Sequence, residues 1–294
     1  MTQTPDILCI GSVLWDVIGR APVAMRQGSD VAGRISRLPG GVAMNIAMTL
    51  SRFGLTPALL TAIGRDAEGD ELIAACKARG MMTDTIYRSD DLPTDRYMAV
   101  EGANGLIAAI ADAHSLEAAG AKILAPLSDG SLARPWTGPV ALDGNLTIDL
   151  LSDIAASPLL QQADLRVAPA SPGKADRLMP FLRTGNGTLY VNLEEAGLLC
   201  SAQFDSSADA AQALLDRGAA RALVTDGGNS ASEGSPAGVI TQTPPKVLVT
   251  RVTGAGDTFM AAHIAAETRG ANREEALQRA LTAAATYVSG GNPA

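Results

Sequence analysis

The sequence predicts an α/β fold organised on one mostly parallel sheet, and three observations carry that expectation. Short, fully apolar runs alternate with longer stretches of helical periodicity, the pattern of repeated β-α-β units. Glycines fall at the junctions, where chain reversals use them. One hairpin pattern, at residues 96–112, interrupts the rhythm, and a hairpin fits poorly inside an all-parallel sheet.

Ile7-Leu8-Cys9-Ile10, ending at Gly11, has no polar member, which marks an opening strand buried on both faces. Gly40 and Gly41 precede an Ala/Met/Leu-rich helical pattern that stops at Gly54, so the glycine pair belongs at a helix N-terminus. Residues 57–63 read as the next strand and 66–79 as an amphipathic helix. Residues 96–101 and 106–111 flank Asn104-Gly105, a hairpin turn signal. With residues from about 15 to 36 they predict a small antiparallel flap able to cover a ligand. Further strands are expected at 140–142, 165–168, 189–191 and 222–225, and residues 227–238, rich in Gly, Ser and Asn, read as the clearest loop. No repeat, low-complexity stretch or Pro-rich linker divides the chain, so a single domain is expected over 1–294.

Composition removes several classes of function. A hydrophobic fraction of 47% beside 18% charged residues describes a globular chain and excludes a disordered one. The net charge of -8 and the lack of any basic run argue against nucleic acid as a partner. An anionic ligand would have to be met locally, by backbone N–H groups, a few cations or a metal ion. Cys9, Cys76 and Cys200 are odd in number and outside any C-x-x-C spacing, the signature of buried thiols and not of a disulfide framework or zinc site. No charged-then-apolar leader opens the sequence and no run is long enough to cross a bilayer, which predicts a soluble cytoplasmic protein with no membrane partner.

The strongest chemical signal is Val252-Thr253-Gly254-Ala255-Gly256-Asp257-Thr258-Phe259, a small-residue turn running straight into an apolar helix. Bare amides at a helix N-terminus attract anions, and glycines remove the Cβ atoms that would keep a phosphate away. A carboxylate is a poor phosphate ligand, because like charges repel. Asp257 therefore reads either as a helix cap or as the group that accepts the proton of an attacking hydroxyl.

Gly254-Ala255-Gly256-Asp257 resembles the C-terminal signature of the ribokinase-like, or PfkB-type, carbohydrate kinases, and Gly40-Gly41 through Asn45 to Gly54 resembles their N-terminal signature. The likeness spans essentially the whole chain and includes the hairpin, which matches that family's lid. It implies a three-layer sandwich with a mostly parallel central sheet, a small β-sheet lid and ATP-dependent phosphorylation of a sugar-type hydroxyl. Asp257 would be the catalytic base, and the amides of Gly254, Ala255 and Gly256 an anion hole. Asp16, Gly40, Gly41 and Asn45 would hold the acceptor's hydroxyls. Asn192 and Glu195 match an Asn-x-x-Glu motif that supports Mg2+ and the phosphates, often through water. Thr225 and Gly227 match the turn that approaches ATP.

Two departures stand out against that pattern. The Gly/Ser-rich stretch 228–238 is an extended insertion, and Arg251 replaces an Asp that helps hold a monovalent cation in many relatives. A guanidinium there would repel potassium, so K+ activation is not expected; Arg251 either supplies the charge itself or faces solvent. His114 and His263 read as surface or packing residues. Residues 97–112, Ala141 to Leu146, and Pro169-Ala170-Ser171 with Lys174 resemble the pseudouridine kinase group. That likeness implies the 5′-hydroxyl of pseudouridine as acceptor, with ribose or another nucleoside as the alternative. A sugar- or nucleoside-binding protein without turnover is the alternative from another class. An exposed apolar flap would further imply a homodimer in which paired flaps cover each other.

Overall fold

Residues 4–293 are described by a computed structural model. β1 (Ile7–Ile10) opens the chain, β2 (Leu14–Arg20) and β3 (Arg34–Gly40) leave it as an arm, and α1 (Val42–Arg52) starts directly after Gly41. β4 (Pro57–Leu60) returns beside β1, while β5 (Ala62–Gly64), α2 (Ala67–Lys77) and β6 (Tyr87–Ser89) make a side unit. β7 (Arg96–Gly102) and β8 (Gly105–Asp112) are the hairpin, followed by α3 (His114–Ala119). The alternation then resumes through β9 (Pro139–Asp143), α4 (Ile148–Ala156), β10 (Asp164–Ala168), α5 (Met179–Thr184) and β11 (Thr188–Asn192). It continues with α6 (Leu193–Cys200), α7 (Ser207–Asp216), β12 (Arg221–Thr225), β13 (Ala231–Ser235) and β14 (Gly238–Gln242). Two long helices, α8 (Ala255–Thr268) and α9 (Arg273–Val288), close the chain.

The main sheet has the order β14-β13-β12-β11-β10-β9-β1-β4 and is parallel from β4 through β12. β1 shows why its sequence does not alternate: Leu8 and Ile10 pack into the layer of α3 to α7, whereas Ile7 and Cys9 pack into the layer of α1, α2, α8 and α9. A strand covered on both faces has no polar side to keep. The result is the expected three-layer sandwich. All three cysteines are buried and free. Among the described residues no helix is long and apolar enough to cross a membrane.

Three expectations need correction. The run 57–63 is two strands, because β5 leaves β4 and pairs instead with β6. Residues 227–238 are a loop only in part: 227–230 and 236–237 are turns, but β13 lies between them and extends the sheet antiparallel to β12. The stretch looks loop-like because its residues are small, and they are small because α7 lies against them. A Cβ at Gly234 would stand 3.1 Å from Leu215 and 3.2 Å from the Ala211 carbonyl. The flap, finally, is a separate four-stranded sheet of order β3-β2-β7-β8, but its middle pair, β2 and β7, runs parallel. It is a mixed sheet and not an antiparallel one.

Register sorts the side chains of that lid. Asp16, Tyr97 and Ala111 share one cross-strand row, and Val17, Met98 and Ile110 the next. Successive residues point to opposite faces, so the first row faces the main sheet, where all three line the cleft beneath the lid. The second row points away from it.

Candidate active site

A cleft of about 1130 Å3 lies between the lid and the carboxyl ends of β9 to β12, the edge where open parallel sheets hold ligands. α8 delivers Asp257 to it. Gly254 caps this helix with φ 88° and without a side-chain cap, a left-handed geometry that suits glycine. The ladder begins only at Thr258, whose N–H donates to the Gly254 carbonyl at 3.0 Å. The Ala255 N–H is taken by the Val252 carbonyl at 3.0 Å. Of the amides expected in the anion hole, Ala255 is thus spent inside the turn. Among the described residues, Gly254, Gly256 and Asp257 have no backbone acceptor for theirs, which leaves these as open donors where the helix begins.

Asp257 is half-buried, and Asn45 on α1 donates Nδ2–H to its Oδ2 at 2.8 Å. The two signatures of the sequence, 212 residues apart, therefore meet at one hydrogen bond. Burial pushes the Asp257 carboxyl up to about 7, the nearby Asp143 and Asp16 push the same way, and the Asn45 hydrogen bond opposes them.

The N-terminus of α1 is fixed by a partnership that sequence reasoning missed. Asp143, at the end of β9 and fully buried, accepts from the Ser12 N–H at 2.8 Å and from the Ser12 hydroxyl. The Ser12 oxygen in turn accepts from the Val42 N–H at 2.9 Å. Gly41, with φ 95°, brings the helix this close: a Cβ there would lie 2.5 Å from the Ser12 carbonyl. Asn145 bridges outward, its Nδ2–H donating to Ser12 Oγ at 3.1 Å and its Oδ1 accepting from Lys174 Nζ at 2.6 Å. Among the described residues, Lys174 and Lys246 are the side-chain cations that line the cleft.

Asp16 sits inside β2 on the cleft face of the lid. Burial raises its carboxyl to about 6. Gly40 is buried beside it and does not line the cleft itself, and a Cβ there would stand 2.0 Å from Asp16 Oδ2. Its role is to leave room for that carboxylate.

Asn192 and Glu195 form a reciprocal capping box at the start of α6, with the Glu195 N–H on Asn192 Oδ1 and the Asn192 N–H on Glu195 Oε2, both at 2.8 Å. Both also line the cleft. Burial pushes the Glu195 carboxyl up to about 7. The box leaves one carboxylate oxygen uncommitted, a donor set that fits Mg2+ held mainly by phosphates and water. Among the described residues no cluster of three or more His, Cys, Asp or Glu could hold a metal by itself. Thr225 ends β12, and an added Cβ at Gly227 or Gly228 would meet nothing within 4 Å, so this turn is open toward the cleft.

Behind the site, His263 is fully buried on α8 and its Nδ1 is 2.8 Å from the Tyr190 hydroxyl. Burial holds its pKa below the ordinary histidine value. It belongs to a polar layer in which Glu267 pairs with Arg166 and Arg221, and Glu233 with Arg221 and Arg273. His114 is exposed on the surface. Arg251 does not line the cleft; it is exposed, with its guanidinium bound to the Tyr287 and Gly291 carbonyls.

The sequence pattern of the pfkB family of carbohydrate kinases matches residues 4–294. An uncharacterised sugar kinase of Escherichia coli strain K12 is 27% identical over 300 residues, covering 99% of this chain and 80% of its own. The pseudouridine kinase of the same strain is 27% identical over 266 residues, covering 89% of this chain and 83% of its own. Among solved structures, the ribokinase of Thermotoga maritima aligns with a TM-score of 0.81 at 21% identity, covering 97% of this chain and 93% of its own, which identifies the fold as ribokinase-like. With the whole described chain inside that pattern and both glycine turns meeting at Asp257, the chain belongs to the pfkB family of carbohydrate kinases, phosphotransferases that act on an alcohol group.

Proposed function

We propose that the protein transfers the γ-phosphoryl of ATP to the 5′-hydroxyl of pseudouridine. The carrying observation is the Asp257 carboxyl, raised to about 7 by burial and oriented by Asn45, at the open amides of α8. A carboxylate in that range can take the proton of a hydroxyl as its oxygen attacks. The new O–P bond forms while the bond to the β-phosphate oxygen breaks, the proton stays on Asp257, and ADP leaves. The amides of Gly256 and Asp257 face the charge that builds on the migrating group. Thr225, Gly227 and the apolar wall from α9 would receive ATP, and Asp16 the acceptor's hydroxyls. Mg2+, when bound near Asn192 and Glu195, would neutralise phosphate charge.

Two lines support pseudouridine within the broader class of sugars and nucleosides. The pseudouridine kinase relative covers most of the chain, and the mid-chain residues that resemble that group, Asn145 and Lys174, stand together on the cleft wall. The working form is proposed to be a cytoplasmic homodimer joined through the lids. Incubation of the protein with ATP, Mg2+ and a panel of pseudouridine, uridine, adenosine, ribose and fructose tests the assignment. Phosphorylation of pseudouridine at the highest kcat/KM is expected. Preference for another acceptor would replace the substrate, and binding without turnover across the panel would remove the kinase activity.

A further inference from the structure

The segment leading into α8 is held by one arginine and one tyrosine that no part of the proposed chemistry uses. The Arg251 guanidinium lies over the Tyr287 ring, 3.8 Å from its centroid. Its Nε–H donates to the Tyr287 carbonyl at 2.8 Å and an Nη2–H to the Gly291 carbonyl at 2.7 Å. The Tyr287 carbonyl belongs to the last turn of α9, whose negative end favours a cation, and it also accepts from the Gly290 N–H at 3.0 Å; the Gly291 carbonyl lies just past the helix. The Thr250 and Arg251 N–H groups close on the Val288 carbonyl from the same side, at 2.8 and 3.2 Å.

Tyr287 carries this anchorage to the site. Its hydroxyl donates to the Thr253 carbonyl at 2.9 Å, and it occupies the space beside Gly254, where a Cβ would lie 2.6 Å from the hydroxyl oxygen. Thr253 and Gly254 line the cleft, whereas Arg251 and Tyr287 do not. Both side chains therefore act on the reaction indirectly, through the backbone that borders the cleft, the turn above all. A lysine could not replace the arginine, because the contacts need a planar fork that reaches two carbonyls while stacking on an aromatic face.

We propose that Arg251 and Tyr287 are positioning residues, a clamp that holds the Thr253-Gly254 turn so that the Gly256 and Asp257 amides and the Asp257 carboxylate keep the geometry that phosphoryl transfer needs. The inference rests on the kinase reading given above. A merely structural arginine would lower stability and leave the turnover of the folded protein alone. A clamp shifts kcat.

The test compares Arg251→Ala, Arg251→Lys and Tyr287→Phe with the wild type, using ATP and whichever panel acceptor the wild type phosphorylates. Arg251→Ala is expected to lower kcat by about 10- to 100-fold, the scale of a small misplacement of reacting groups, with the acceptor KM unchanged. Added guanidinium ion should restore part of that loss and none of the loss in Asp257→Asn. Arg251→Lys should fall between, and Tyr287→Phe should add nothing in the Arg251→Ala background, as expected of two residues acting as one unit. Backbone hydrogen exchange of residues 253–257 should be faster in each variant. Wild-type kcat in folded Arg251→Ala, or in Arg251→Lys and Tyr287→Phe should the alanine variant not fold, would overturn the clamp. Should the wild type phosphorylate nothing, the kinase reading fails, and exchange at 253–257 with the non-hydrolysable analogue AMP-PNP bound still decides the clamp: unchanged exchange overturns it.

Discussion

Asp257 must be ionised to accept a proton, and burial holds its carboxyl up to about 7 in the free protein. The kcat/KM profile is therefore expected to rise with pH through an acidic limb near 7, in contrast to the usual carboxylate range. The same shift has a thermodynamic sign. The folded state binds this proton more tightly than the unfolded chain, so the stability contributed by the group is full below the unfolded pKa and is lost as pH rises toward 7. Asp257→Asn should accordingly lower turnover by ~100-fold or more while raising the melting temperature at pH 8, and the gain should disappear by pH 4. Unchanged turnover would remove Asp257 from the chemistry, and a melting gain that persists at pH 4 would contradict the shift. At Gly40 the expectation is narrower. The atom in the way of a Cβ is the end of the Asp16 side chain, so Gly40→Ala should displace that carboxylate and raise the acceptor KM roughly tenfold, the worth of a lost hydrogen bond to a charged group, with the KM for ATP unaltered. Equal KM values for the acceptor would show that Asp16 does not hold it. Asp257, Gly254 and Asn45 were legible in the sequence because each sits in a short run whose spacing is itself the geometry. The bond between Ser12 and Asp143 was not, since Asp143 stood only as one member of the run Ala141 to Leu146 and nothing around Ser12 pointed to a partner 131 residues away.

At the level of elements, apolar runs identified β1, β9, β11 and β12 because strands buried on both faces carry little competing signal, and β10 was legible despite Arg166 at its centre. β13 escaped for the opposite reason: Ala231-Ser232-Glu233-Gly234-Ser235 has the composition of a loop, and only packing under α7 makes small residues the right ones. Its Glu233 is fully buried between Arg221 and Arg273. Glu233→Ala would leave Arg221 to Glu267 and Arg273 to backbone carbonyls, and should destabilise the protein by about 1–3 kcal/mol, the range for removing one partner of a buried hydrogen bond. Urea denaturation measures it, and a midpoint equal to the wild type's would show that the ion pairs contribute nothing net. The strand direction of β7 beside β2 was likewise illegible: the sequence specifies that both are strands, whereas their parallel alignment is decided by where the intervening residues 21–95 carry the chain.

For the whole molecule, the charge of -8 says nothing about how the protein meets ATP, because the cleft's amides and two lysines act locally. The lid's outward face bears on assembly. Ile35, Met98 and Ile110 are 80%, 48% and 62% exposed and lie on the side turned from the cleft, an arrangement that a second lid would cover. Sedimentation should give a dimer for the wild type and a monomer for Met98→Glu/Ile110→Glu, since a buried unpaired charge opposes association; a monomeric wild type would dispose of the lid–lid pairing.

Asp16 belongs to the lid while Asp257 belongs to the main body. Under the proposed function the acceptor would thus be gripped by the roof and deprotonated by the floor. Any hinging of the four-stranded sheet that opens the cleft must withdraw the grip together with the cover, so a bound sugar cannot stay held in an open site. Water entering with the lid raised would meet no acceptor fixed against Asp257, which couples shelter to capture by architecture alone.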